Sequence, residues 1–327
     1  MKKIGIAICS IFFLNSCAEQ RDSENIVFDP FENYPRIENQ FFNLDTIKSK
    51  EITGEKGTKI YFERNSFEVS ETDKITLELK ELYELNDLVS FNLRTVTNDN
   101  QLLESGGVIE LEFKKNGEPI GLKDGAELKF TSPKSFSGIE RLYLVQTDSI
   151  GQTSWKEIDA KFSLMLFDEA YQIDLLFEST LDSLPYYQEK WRIQDSIATV
   201  EAKNYEQIDS EIRPILSTNE IGWINIDWII EPQESKELEF NNLTDVDGLI
   251  IYFFYEGRVS FINYYPDSTD TFILQDVPIL ENTFAILVGN KEEKLFAEKI
   301  KISDNSKIET SLREVSSKEL EQLILNK

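Results

Sequence analysis

Asn225 and Asp227 stand two residues apart in Gly222-Trp223-Ile224-Asn225-Ile226-Asp227, a run that reads as a strand. Strand periodicity puts the amide and the carboxylate on one side, where they could ligate a cation or fix a loop by side-chain hydrogen bonds. Loop fixing is the commoner use of such a pair. Trp223, Trp228, Tyr264 and Tyr265 could form a platform for a ligand or partner, although rings in apolar strands more often pack a core. Tyr264-Tyr265-Pro266 closes a strand and is the first pair to inspect. Asp245-Val246-Asp247-Gly248 imitates part of a calcium loop, yet Leu243 and Phe254 occupy the first and last ligand positions of that register. A tight turn accounts for it better.

The remaining chemistry is bounded by what the 327 residues lack. Histidine is absent, which excludes Ser-His-Asp and Cys-His catalysis, histidine-ligated zinc and the usual near-neutral proton shuttle. No nucleophile elbow, Walker loop or dinucleotide fingerprint occurs either. With 60 acidic residues, some carboxylate pair will stand at glycosidase separation by chance, so pairs carry little weight. The formal charge of −26 argues against nucleic acid, which needs a basic surface to displace counterions. No cofactor and no metal centre is implied.

The amino terminus reads as an address. Lys2 and Lys3 precede an apolar run from Ile4 to Leu14, too short to span a bilayer and remain there. Leu14-Asn15-Ser16-Cys17 resembles the lipobox of bacterial lipoproteins. That resemblance implies removal of residues 1–16, a diacylglyceryl thioether on Cys17, and a membrane reached through the lipid. Glu19, Asp22 and Glu24 resemble the acidic export signal of Bacteroidota-type lipoproteins, which implies the outer membrane, on its periplasmic side or at the cell surface. Cys9 leaves with the signal, so the expected mature chain forms no internal disulfide.

The elements that position these residues divide the chain. Residues 17–40 are polar, contain Pro30 and Pro35, and read as an acidic tether. Residues 41–161 alternate with period two: Ile75, Leu77 and Leu79, then Leu111 and Phe113, then Leu128 and Phe130. Asn116-Gly117 lies between two such runs and predicts a type I′ hairpin. This is the pattern of an antiparallel sandwich. Residues 162–217 carry apolar residues at helical steps and predict a helical connector, with a helix from about Tyr186 that Pro214 should end. Residues 218–327 return to strands. There Leu249 to Tyr255 is apolar on both faces, a hairpin is expected around Gly289-Asn290, and Ser316 to Glu319 is a capping box for a short terminal helix. The expected fold is mainly β, two antiparallel sandwich-like domains joined by a helical connector.

Gly57-Thr58-Lys59-Ile60, Asn65-Ser66-Phe67, Asn92-Leu93-Arg94-Thr95 and Ser105-Gly106-Gly107-Val108 resemble a module recurring in Bacteroidota envelope proteins. The Gly222 to Asp227 run resembles a G-W-I-N-x-D signature of the same group, with Ile226 where cysteine is frequent and Trp228 where arginine is. These resemblances imply a β-sandwich of unassigned role. The expected function is a lipid-anchored, non-enzymatic binding or scaffold component whose partner is an envelope protein or glycan. The alternatives are a carboxylate-based glycan hydrolase and a calcium-dependent adhesion module.

Overall fold

A computed structural model describes residues 28–32, 34–45, 51–134, 140–149, 151–167, 177–180, 211–243, 246–266 and 271–325. Over these residues the chain is mainly β, as its alternation predicts, with four sheets and two α-helices. The first sheet runs β1 (Gln40–Asn43), β4 (Ile75–Leu82), β5 (Leu103–Lys115), β13 (Gly222–Ile229), β8 (Arg141–Thr147), β9 (Thr153–Glu157), and β6 (Glu118–Ile120) pairs with β5. The second runs β11 (Phe177–Thr180), β10 (Lys161–Phe167), β12 (Glu211–Thr218), β7 (Leu128–Thr131), β3 (Lys59–Tyr61), β2 (Glu51–Thr53). The third is β17 (Thr271–Ile279), β14 (Glu234–Asn241) and β20 (Lys307–Glu309). The fourth runs β16 (Phe261–Tyr264), β15 (Gly248–Tyr255), β18 (Thr283–Lys291), β19 (Lys294–Lys301), β21 (Arg313–Val315). The helices are α1 (Leu85–Ser90) and α2 (Ser317–Leu325).

Burial orders the sheets into layers. The first and second sheets close on the alternating residues Leu77, Leu79, Leu111, Phe113, Leu128 and Phe130. The third and fourth close on Phe240, Ile251, Phe253, Tyr255, Leu274 and Leu287. A further core lies between these two sandwiches and joins Leu82, Val108, Tyr143 and Trp155 of the first sheet to Ile250, Tyr252, Phe254 and Ile286 of the fourth. Leu88 and Val89 of α1 and Leu320 and Ile324 of α2 complete it. Strand β15 is apolar on both faces because its odd residues enter one core and its even residues the other.

Local signals explain several joints. Asn116 and Gly117 have φ of 52° and 94°, the pair of positive values that a type I′ turn requires between β5 and β6. At α2 the Ser316 hydroxyl accepts the Glu319 N–H at 3.2 Å, and the Ser316 N–H donates to the Glu319 carboxylate at 2.8 Å.

Four expectations are corrected. The tether is shorter than 17–40, because residues 28–32 and 34–40 include side chains packed on the body: Phe31 is 1% exposed against Tyr34 and Tyr252, and the Gln40 amide donates to Glu81 at 2.8 Å. The connector 162–217 is strand at both ends, β10 and β12, and Pro214 lies inside β12 opposite Leu164. The rest of the expected helix lies outside the described residues, as do Cys17 and the signal. The boundary at 218 is wrong too, since β13 lies between β5 and β8 in the first sheet. Finally, Gly289 and Asn290 belong to β18, and the hairpin turns at Glu292-Glu293, with φ of 50° and 64°. Gly289 is small for a different reason: a Cβ there would stand 2.7 Å from Val246.

Candidate functional site

Two of the motifs meet side by side. Strand β13 pairs Asn225 with Val108 and Asp227 with Ser105, so Gly106 and Gly107 of β5 together oppose the single residue Ile226. This bulge explains both glycines. A Cβ on Gly106 would stand 2.6 Å from the Ile226 carbonyl, and one on Gly107, at φ 141°, would stand 2.2 Å from the Tyr83 ring.

Asn225 and Asp227 share a face, as their spacing predicts, and both are fully buried. The Ser105 hydroxyl donates to Asn225 Oδ1 at 3.1 Å, and the Asn225 amide donates to Asp227 Oδ2 at 2.5 Å. Burial pushes the Asp227 carboxyl well above the usual carboxylate range, against the weaker pull of the Ser105 hydroxyl, the Asn225 amide, the Gly106 N–H and Lys134. Asp227 Oδ1 and the hydroxyl of Tyr143, which faces Asn225 from β8, are buried without a hydrogen-bond partner among the described residues. The Ser105 hydroxyl also accepts the Gly107 N–H at 3.2 Å, so the cluster is hydrogen-bonded to the bulge. Among the described residues no three acidic, cysteine or histidine side chains converge as a metal would require.

The aromatic candidates are dispersed. Trp223 is half-buried at the edge of the inter-sandwich core, 5.5 Å from the Phe91 ring, with the Lys80 ammonium 5.4 Å above it. Trp228 is half-buried beside Gly106. Tyr264 and Tyr265 follow one another at the end of β16 and part there, Tyr264 packing against the core of the third and fourth sheets and Tyr265 against the core between the sandwiches. Tyr264 packs edge-on to Phe253 at 5.8 Å, and burial pushes its hydroxyl up to about 12. The Tyr265 hydroxyl accepts amide N–H groups from Asn92 at 3.0 Å and Asn263 at 3.3 Å.

The seam between the sandwiches is built on the Asn92-Leu93-Arg94-Thr95 segment. Asn92, at φ 53°, ends α1 in the left-handed region with its N–H on the Val89 carbonyl. Arg94 Nε donates to the Thr153 carbonyl at 2.7 Å, while Nη1 donates to Gln152 Oε1 at 3.0 Å and to the Asn263 carbonyl at 3.5 Å. Thr95 N–H donates to the Phe261 carbonyl at 2.9 Å, and its hydroxyl accepts the Phe261 N–H at 2.7 Å. One short segment thereby bonds both sandwiches.

Sequence reasoning missed Arg94 and Glu81 as individuals. Glu81 is fully buried and accepts the N–H groups of Lys56 and Thr58, each at 2.8 Å, wrapping the Gly54 to Thr58 loop around its carboxylate. The alternation did carry that signal: continuing Ile75, Leu77, Leu79 by one step puts Glu81 on the inner face. An open cleft of about 210 Å³ lies between the sandwiches and includes Glu231, Asp276, Ile229 and Pro278 in its lining. Its walls are aliphatic and polar, without a tryptophan or tyrosine, and it is smaller than the several hundred Å³ typical of small-molecule sites. Asp245 lies outside the described residues, while Asp247 N–H donates to the Asn290 carbonyl at 2.7 Å.

Compared with protein-family models, curated proteins and solved structures, the chain matches none.

Proposed function

We propose that this chain is a lipid-anchored envelope component that binds or holds other molecules without transforming them. The observation that carries the reading is the seam. Asn92, Arg94, Thr95 and Tyr265 join two sandwiches into one body, and Asn225 and Asp227 brace the strand pair beside it. A joint braced in this way holds two surfaces at a constant separation, which suits a scaffold. The lipobox at Leu14 to Cys17 supplies the anchor, and two or more acyl chains retain a protein on a membrane where one does not.

Radiolabelled palmitate fed to the source cells tests the anchor. Label should appear on the wild-type chain and in the membrane fraction, and both should be lost in Cys17→Ala. Label that persists in the variant, or a mature N-terminus elsewhere, overturns it. For the non-catalytic half of the reading, incubation of the purified chain with envelope polysaccharides should release no new reducing ends. Steady release would replace this function with a hydrolase.

A further inference from the structure

The segment that leads into β1 is held to the body by its side chains. Phe28, Phe31, Tyr34 and Ile37, one residue in three, all pack against the core between the sandwiches. Neither a strand nor an α-helix keeps every third residue on one face over this length, whereas a chain with about three residues per turn does. The carbonyls of Asp29 and Phe31 accept the N–H groups of Glu32 and Tyr34, each three residues on, which sets that spacing locally.

Its polar bonds are mostly its own. Among the described residues, the backbone bonds of 28–32 and 34–38 stay within the segment, and so does the ion pair of Arg36 with Asp29. One hydrogen bond crosses from there to the body, donated by the Tyr34 hydroxyl to the Ser317 carbonyl at 3.2 Å, and it is exposed. Firm attachment begins at Asn39 and Gln40, whose amides donate to Glu78 and Glu81, and at β1, which pairs with β4. Lifting residues 28–38 therefore breaks no sheet ladder. It gives up one exposed hydrogen bond and the contacts of four side chains, of which Phe31 alone is fully buried. Openings that expose so little lie below the free energy of global unfolding. Pro30 and Pro35 restrict the freed chain, so redocking loses less entropy. The surface uncovered is largely apolar: Val89 of α1, Ile324 of α2, and Tyr252 of β15, on which Phe31 packs edge-on at 5.7 Å.

We propose that this segment is a latch, an internal ligand that undocks as a unit while both sandwiches stay folded. The groove between α1, α2 and β15 is its binding site, and what that groove recognises is an aromatic or aliphatic side chain at every third residue. The latch adds a peptide site to the binding role above and holds whether or not the chain is acylated.

The test uses the full chain, purified in detergent, and a fluorescein-labelled synthetic peptide of residues 28–38 followed by anisotropy. A tethered ligand competes at an effective concentration in about the millimolar range, so the wild type should bind the peptide weakly. Phe31→Ala releases the latch and should bind the peptide about tenfold more tightly or better, with the strand signal in circular dichroism unchanged. Tyr34→Ala, which removes a half-buried ring, should give a smaller gain. A peptide carrying the same Phe31→Ala change should bind none of these chains. A folded Phe31→Ala chain that takes up the peptide no better than wild type overturns the proposal. So does a Phe31→Ala chain that loses its strands, because the body would then need the segment in order to fold.

Discussion

At the scale of single residues, Asp227 is a carboxyl that folding shifts toward its neutral form. Its folded pKa is raised by burial, whereas in the unfolded chain an aspartate titrates near about 3.9. Its contribution to stability is therefore complete below the unfolded value and is lost as pH rises through the folded value. Asp227→Asn keeps the shape of the neutral acid and cannot ionise. Urea denaturation should show wild type losing stability relative to this variant as pH rises from the unfolded aspartate value of about 3.9. A gap that stays constant as pH rises would count against a raised pKa. Glycines divide by environment in the same way. Gly107→Ala should cost about 3 kcal/mol or more, since its Cβ would overlap the Tyr83 ring at a positive φ. Gly117→Ala should cost only about 1 kcal/mol, because nothing lies within 4 Å and only the φ of 94° is strained. Equal losses in urea would deny the close approach at the bulge.

Among the elements, the segment 28–40 changes role most. Its prolines and charges carry no strand or helical period, so composition alone marks it as linker. Phe31 nevertheless packs with Tyr252 of β15 and lines the same pocket as Val89 of α1 and Ile324 of α2, and Arg36 pairs with Asp29 at 3.0 Å while lying 5.6 Å over Phe91. It is a strap across the seam. Phe31→Ala should cost about 3–5 kcal/mol in chemical denaturation and should speed proteolysis within the strap. A loss under about 1 kcal/mol would mean that the ring contributes little. Strand β18 teaches the opposite lesson. Gly289-Asn290 has turn composition, yet a glycine is equally required where Val246 presses on a strand, and composition does not distinguish the two uses.

For the whole molecule, the core between the sandwiches decides the behaviour. Leu82, Val108 and Trp155 on one side and Tyr252, Phe254 and Ile286 on the other are buried in a single cluster, crossed by the bonds of Thr95 to Phe261 and of Ser105 N–H to the Val259 carbonyl at 2.9 Å. Neither sandwich can separate without exposing that surface to water. Calorimetry should therefore show one cooperative unfolding transition, with calorimetric and van't Hoff enthalpies in agreement. Two resolved transitions would mean that the halves melt independently.

The sequence by itself determined which faces are apolar. Period-two alternation places Ile75, Leu77 and Leu79 inside, and Leu249 to Tyr255 between two layers, because side-chain direction in a strand depends only on residue parity. It also determined the turn at Asn116-Gly117 and the cap at Ser316, where the deciding contacts lie within a few residues. Tertiary structure alone decided that β13 enters the first sheet, that Phe31 is buried, and that Asn92-Leu93-Arg94-Thr95 joins two sandwiches. Those choices depend on distant partners, 173 residues away in the bond from Asn92 to Tyr265 and farther still in the contact of Phe31 with Tyr252, and no local pattern encodes which distant surface a segment will meet.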